Sequence, residues 1–146
     1  MRVLLQRVSD ASVTIDGEII GEIGNGLVLL IGVARGDDEN ILRWVAEKCV
    51  NLRIFEDDAG KMNRSLLDVS GEILAISQFT LMADTRRGRR PGFTDAAPPE
   101  RGEALYTLFV DLLKGYGLKV SCGVFGAEMD VALTNRGPVT IIIEKP

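Results

Sequence analysis

Two short segments hold the residues best suited to chemistry. Ser77–Thr80 ends an apolar run, and Asn135–Thr140 lies near the C-terminus. The hydroxyls of Ser77 and Thr80 are candidate nucleophiles, and the amide of Gln78 can bind a substrate. The chain contains no histidine, so the commonest general base near neutral pH is missing. An unactivated hydroxyl is a weak nucleophile, and no Ser-x-x-Lys spacing supplies another base.

The strand that is predicted to carry the first segment sets its geometry. The residues Glu72–Met82 are mostly apolar and are predicted to form one long strand. Side chains alternate along a strand, so Gln78 and Thr80 share one face while Ser77 and Phe79 share the other. Gln78 and Thr80 can then reach one ligand together. On the residue pattern alone, the same two side chains fit a solvated strand face equally well.

A run of arginines interrupts an otherwise acidic chain. The net charge of −4 argues against a nucleic-acid partner. However, four of the 17 basic residues fall in one short segment, which Gly88 and Pro91 mark as a loop. A phosphate within a Debye length of about 8–10 Å would interact more strongly with this cluster than with the distant acidic residues. A solvated charge run fits the pattern equally well. The four residues are Arg86, Arg87, Arg89 and Arg90.

Composition favours a single soluble domain of the cytoplasm. The chain has 146 residues, of which 46% are hydrophobic and 26% charged, and no apolar stretch reaches the length of a membrane span. Arg2 and Arg7 lie in an alternating pattern that does not resemble a signal peptide. Cys49 and Cys122 are far apart in apolar patterns, which predicts two reduced thiols. Without histidine or a close cysteine pair, we expect no metal site.

The first third of the chain is predicted to be rich in strands. Residues Val3–Val8 alternate, and Ser12–Ile15 and Glu18–Ile23 flank the hairpin signal Asp16-Gly17. The run Leu27–Val33 is apolar on both faces, which indicates a central strand. Further short strands are predicted at Leu52–Phe55, Lys119–Val124, Met129–Thr134 and Val139–Glu144.

Helical spacing occurs in two places. Asp37 and Asp38 can cap a helix whose apolar positions run from Ile41 to Cys49. Pro98 and Pro99 precede a second helix with apolar positions from Ala104 to Leu113, closed by Lys114-Gly115. A polar loop is predicted between Asp57 and Arg64. The pattern alone supports only a mixed α and β domain covering residues 1–146.

Six segments in order resemble a known family. The chemistry-bearing segments, together with four others, are similar to those of the D-aminoacyl-tRNA deacylases, formerly called D-tyrosyl-tRNA deacylases. A single four-residue match would be weak evidence, but these matches extend over essentially the whole chain. The four other segments are Met1–Val8, Phe55–Asn63, Arg86–Pro91 and Phe125–Met129.

The resemblance implies an α/β fold in layers, with two packed β-sheets, two main helices over one sheet, and a homodimer. It also implies an ester hydrolase that removes D-amino acids, and in principle glycine, from tRNA while rejecting L-aminoacyl-tRNA, without a cofactor or metal. We expect the backbone N–H groups of Phe79 and Thr80 to stabilise the oxyanion. The ribose 2′-hydroxyl of the RNA would help to orient the attacking water, with Thr80 binding rather than attacking.

The resemblance gives the second segment a role in selectivity. Gly137-Pro138 would be a cis dipeptide that one subunit inserts into the active site of its partner, where its carbonyls face the α-carbon and exclude an L side chain. Asn135 and Thr140 flank this dipeptide. Without the resemblance, an ordinary turn between two strands would explain the same residues. Met129 is expected to line the amino-acid pocket, although core packing explains it equally well. The arginine loop would contact the tRNA acceptor end.

Two rival functions remain open at the level of sequence. A non-catalytic tRNA-binding β domain would use the arginine loop and ignore the chirality of the amino acid. An esterase with Thr80 as nucleophile would form an acyl-enzyme and need no RNA. Neither rival explains both chemistry-bearing segments.

Overall fold

A computed structural model describes all 146 residues. The strands are β1 (Arg2–Ile15), β2 (Glu18–Ile23), β3 (Gly26–Gly32), β4 (Phe55–Glu56), β5 (Met62–Arg64), β6 (Glu72–Ser77), β7 (Val120–Cys122) and β8 (Asp130–Glu144). The helices are α1 (Glu39–Asn51), α2 (Leu66–Val69) and α3 (Pro99–Lys114), with a 3₁₀ helix at Phe79–Met82. The mixed α and β class is therefore confirmed.

Strand β1 organises the main sheet. It pairs antiparallel with β3 through its first half, with β2 through its second half, and with β8 along most of its length. Beyond β3 the strands β6 and β7 continue the sheet in parallel. The two end strands β2 and β7 then approach each other, and the Ser121 hydroxyl donates to the Glu22 carbonyl over 3.3 Å. The sheet is thus mostly closed.

The sheet differs from the expected pair of packed sheets. Six strands form one hydrogen-bonded sheet, and only β4 and β5 form a second, two-stranded one. The physical reason is the length of β1, whose 14 residues pair with different neighbours in its two halves. Two apolar clusters correspond to the expected layers. One lies between the sheet and helices α1 and α3, and the other fills the inside of the curled sheet.

Strand β3 shows why both clusters form. Leu27, Leu29 and Ile31 belong to the cluster beneath the helices, whereas Val28 lies in the cluster inside the curl. A strand that is apolar on both faces was predicted here, and the burial of both faces confirms it.

The two main helices were also predicted. Asp38 caps α1 by accepting a hydrogen bond from the Ile41 N–H over 3.0 Å, and α3 begins at Pro99. The other candidate cap, Asp37, instead forms an ion pair with the amino group of Met1. No helix of the structure combines the length and the apolarity that crossing a membrane would require.

Several strand predictions were wrong. Only Phe55 of the predicted strand Leu52–Phe55 lies in a strand, and the predicted loop Asp57–Arg64 contains β5. The predicted strand Glu72–Met82 ends at Ser77, and a 3₁₀ helix follows. The two predicted C-terminal strands are one strand, β8. In β8, residues 136–139 bulge opposite Arg7, because Thr140 pairs with Gln6 and Asn135 pairs with Val8. The Gly137-Pro138 segment is therefore a bulge within a strand and not a turn between two strands.

Candidate functional site

A cavity of about 560 Å³ opens where β6 ends. Seventeen residues line it, and 10 of the 17 are hydrophobic. The lining includes Ser77, Gln78, Phe79 and Met129, which come from two distant parts of the chain. Four of the residues singled out from the sequence therefore share one cavity.

The floor of the cavity is built by the end of β6. The Gln78 N–H donates to the Ile31 carbonyl over 2.8 Å, which is the last bond to β3. The chain then tightens into the 3₁₀ helix, where the Leu81 N–H donates to the Gln78 carbonyl. Gly32 makes this turn possible, because a Cβ there would lie 3.1 Å from the Leu81 Cβ and 3.2 Å from the Met82 sulfur.

The turn leaves two backbone donors without acceptors. The N–H groups of Phe79 and Thr80 head the 3₁₀ helix, and neither donates to any backbone or side-chain group of the chain. The side-chain amide of Gln78 donates to the hydroxyl of Thr80. The two side chains were expected to meet by alternation along a strand. They meet instead because the 3₁₀ turn brings them together.

Aromatic and thioether side chains form the walls. The rings of Phe79 and Phe93 lie edge to face with centroids 5.0 Å apart. Phe79 is 55% exposed, so one face of this pair remains open. Met129 packs against Gly123, where a Cβ would lie 2.5 Å from the Met129 sulfur. The wall is thus apolar and partly adaptable.

The lining contains no carboxylate, lysine or cysteine, and the chain has no histidine. The nearby Tyr106 hydroxyl donates to the buried Ala75 carbonyl over 2.8 Å, and burial raises the pKa of Tyr106 far above its usual value. Burial also raises the pKa of Cys122, which faces Tyr106. No side chain of the cavity is therefore suited to take a proton near neutral pH. No three metal-ligating side chains of the structure come together.

The arginine loop begins beside this cavity. Asp84 and Gly92 exchange two backbone hydrogen bonds of 2.7 and 2.9 Å, which close the loop at its base. Arg86 forms an ion pair with Asp84 over 2.8 Å and holds the pKa of that carboxyl well below its usual value. The other three arginines, Arg87, Arg89 and Arg90, are exposed and form no ion pair.

The Gly137-Pro138 bulge lies outside the cavity of its own chain. Its peptide bond is cis, as expected, and both residues are exposed. Asn135 closes the bulge, because it accepts a hydrogen bond from the Val139 N–H over 2.7 Å and donates to the Thr140 hydroxyl over 3.0 Å. Asn135 and Thr140 thus shape the bulge and do not line the cavity.

Sequence reasoning missed Arg7, which holds the same bulge. It is only 8% exposed and donates to the carbonyls of Arg136 over 2.8 Å and Ile54 over 2.7 Å. A Cβ on Gly137 would lie 3.0 Å from an Arg7 nitrogen, and Gly137 has a φ of 142°. The available signal was an arginine at an inward-facing position of the alternating pattern in β1.

Comparisons with known proteins agree over nearly the whole chain. The family model described as D-Tyr-tRNA(Tyr) deacylase matches residues 4–144. A D-aminoacyl-tRNA deacylase of Thermomicrobium roseum is 59% identical over 99% of this chain and 94% of its own length. One of Bacillus cereus is 57% identical over 99% of both chains.

Solved structures give the same fold. The c-Myc DNA unwinding element binding protein matches with a TM-score of 0.95 and 41% identity over 100% of this chain and 99% of its own. A probable eukaryotic D-amino acid tRNA deacylase matches with a TM-score of 0.85 over 97% of both chains. Because the second match is only 19% identical in sequence, it supports the fold and nothing further.

Proposed function

This chain belongs to the D-Tyr-tRNA(Tyr) deacylase family, and from that premise we propose how it hydrolyses the ester bond between a D-amino acid and tRNA. The family resemblance inferred from the sequence segments is thereby confirmed. The observation that carries the proposal is the pair of unspent N–H groups at Phe79, which lines the cavity, and at Thr80, which follows it and is not among the lining residues. We take residues 1–146 as one deacylase domain acting in the cytoplasm.

The two N–H groups stabilise the oxyanion that forms when water attacks the ester. Removing one such donor typically costs about 2.7–4 kcal/mol of transition-state stabilisation. The position at the head of the 3₁₀ helix supports this role, because both donors are free before the substrate arrives. The ester is already activated, so positioning and charge stabilisation are sufficient.

The attacking water is oriented by the RNA and by Thr80. The cavity offers no side-chain base, so we assign the 2′-hydroxyl next to the ester the role of orienting the water. Thr80 already accepts a hydrogen bond from Gln78, and no group is placed to remove its proton. Thr80 therefore orients the water, and the alternative is a Thr80 nucleophile that forms an acyl-enzyme.

Chiral selection requires a second copy of the chain. The Gly137-Pro138 bulge is exposed and does not line its own cavity, which supports its insertion into the cavity of a partner. Strand β8 pairs only with β1, and its Ile142 is 60% exposed, so this strand offers an apolar edge to a second copy. In the resulting homodimer, the bulge excludes an L side chain and admits D-amino acids and glycine.

The experiment that tests this function is deacylation of matched D- and L-aminoacyl-tRNA by the purified protein. We expect rapid release of the D-amino acid and of glycine, and negligible release of the L-amino acid. Equal rates for both enantiomers would contradict the selective role of the bulge. Binding of tRNA without any release would instead favour the non-catalytic RNA-binding alternative.

A further inference from the structure

Arg35 is the only charged residue among the 17 that line the cavity. It lies in the segment that connects β3 to α1 and lines the same cavity as Ser77, Gln78 and Phe79. None of the sequence patterns pointed to it. Its position raises the question of which part of the substrate it faces.

The backbone around Arg35 is fixed. Its own N–H donates to the Asp95 carbonyl over 3.1 Å, and the Ala97 N–H donates to the Val33 carbonyl over 2.9 Å. The side-chain Nε donates to the Thr94 carbonyl. These bonds tie the segment before α1 to residues 94–97. The guanidinium is therefore held in place by one nitrogen.

The two terminal nitrogens of Arg35 remain available. They donate to no acceptor of the chain, and Arg35 forms no ion pair. Arg86 offers a contrast, because its guanidinium is already engaged by Asp84. A held guanidinium with a free edge is well suited to bind phosphate oxygens.

The chemistry of the cavity restricts the ligand group that Arg35 can face. A mostly apolar cavity with a single cation suits a ligand with an apolar body and one anionic end. The terminal nucleoside of an aminoacyl-tRNA has two different ends. Its aminoacyl end carries an ammonium group, which Arg35 repels, and its 5′ end carries the phosphate that leads into the RNA.

We propose that Arg35 binds the phosphate that joins the terminal nucleoside to the rest of the tRNA, and so fixes which way round the substrate lies. This inference rests on the function proposed above. The RNA then leaves the cavity past Thr94 and Asp95, whose segment continues to Gly92 at the base of the arginine loop. The exposed arginines of the loop lie further along the same path.

The test uses two stable analogues in which an amide replaces the ester of D-alanyl-adenosine. One analogue carries a 5′-methylphosphate, which has the single charge of an RNA phosphate, and the other has a free 5′-hydroxyl. Each is measured as a competitive inhibitor of D-aminoacyl-tRNA cleavage. In the wild-type protein we expect the phosphorylated analogue to bind about tenfold more tightly. In Arg35→Gln this advantage should disappear, while the neutral analogue binds as before.

Two further variants complete the test. Arg35→Lys keeps the charge and should retain part of the advantage, and Arg43→Gln, an exposed arginine of α1 paired with Glu39, should retain all of it. Equal inhibition by both analogues in the wild type, including no inhibition by either, would overturn the inference. Equal weakening of both analogues by Arg35→Gln would also overturn it, because that result indicates a structural role. Failure of the wild type to cleave D-aminoacyl-tRNA at all would instead contradict the proposed function.

Discussion

The proposed mechanism gives separate roles to the Thr80 side chain and to the backbone N–H groups of Phe79 and Thr80. The Thr80 hydroxyl already accepts a hydrogen bond from Gln78, whereas the N–H groups of Phe79 and Thr80 are free. If the proposal holds, a substitution of the Thr80 side chain removes the orienting contact and leaves both proposed oxyanion donors in place.

We predict that Thr80→Ala lowers kcat by about tenfold, which corresponds to the loss of one hydrogen bond. Thr80→Ser keeps the hydroxyl and should stay within about twofold of the wild type. Both variants are compared by initial rates on D-aminoacyl-tRNA. Mass spectrometry of the quenched wild-type reaction should show no aminoacyl adduct, and an adduct on Thr80 would establish the nucleophile mechanism.

The two thiols are expected to be inert during turnover. Burial raises the pKa of Cys49 to about 12 and also raises that of Cys122, because the charged thiolate is the form that burial disfavours. Both thiols therefore stay protonated at pH 7.5, and only the thiolate reacts with alkylating reagents. Iodoacetamide at this pH should leave both the intact mass and the rate unchanged. Rapid alkylation with loss of activity would place a reactive thiol near the site.

Not every functional residue could be recognised from its type. Ser77, Gln78, Phe79 and Met129 were predicted as site residues, and the fold brings them into one cavity. Arg35 carries no local signal, because its proposed role depends on its hydrogen bonds to Thr94 and Asp95, which are distant in sequence. The roles of Asn135 and Thr140 remain a prediction, and the structure shows that they first of all shape the bulge.

Secondary structure could be predicted where the apolar residues keep one helical or strand spacing over several residues. The β1–β2 hairpin, β3, α1 and α3 all follow such patterns. The end of β6 could not be found, because the apolar residues continue through Phe79, Leu81 and Met82. What ends the strand is the close packing of the 3₁₀ helix on Gly32, a contact between distant residues. The continuity of β8 depends in the same way on its pairing with β1.

The four arginines of the loop differ in whether an ion pair within the chain already engages them. We predict that Arg87→Gln weakens tRNA binding and reduces the slope of log affinity against log salt by about 0.7–0.9, the contribution of one phosphate contact. Arg86→Gln should have a smaller effect, since Asp84 already engages this side chain. The D over L ratio should not change in either variant. Identical salt slopes for the wild type and for the Arg87, Arg89 and Arg90 variants would mean that these arginines face solvent and contact no phosphate of the tRNA.

At the scale of the whole molecule, the cavity and the bulge belong to different places on one chain. A complete site, as proposed, combines the cavity of one subunit with the Gly137-Pro138 bulge of another. This arrangement can be tested by mixing two defective proteins. One carries Gln78→Ala with Thr80→Ala in the cavity, and the other carries Gly137→Ala, which brings a Cβ within 3.0 Å of Arg7 and Val139.

We predict that refolding the two variants together restores activity. Random pairing gives about half mixed dimers, each with one intact site, so about a quarter of the wild-type activity should return. Size-exclusion chromatography of each variant alone controls for assembly. If the bulge acts within its own chain, no mixed dimer has an intact site. The activity of the mixture will then equal the mean of the activities of the two variants measured separately.

Because the proposed oxyanion donors are backbone N–H groups, most mutations of the gene leave them unchanged. A substitution at Phe79 or Thr80 exchanges the side chain but passes on the N–H, so most mutations cannot delete these donors. Proline is the exception, because it has no N–H. Any threonine codon becomes a proline codon through a single base change, whereas a phenylalanine codon does not. Under random mutation, Thr80 is therefore the position where the gene most easily loses a proposed oxyanion donor.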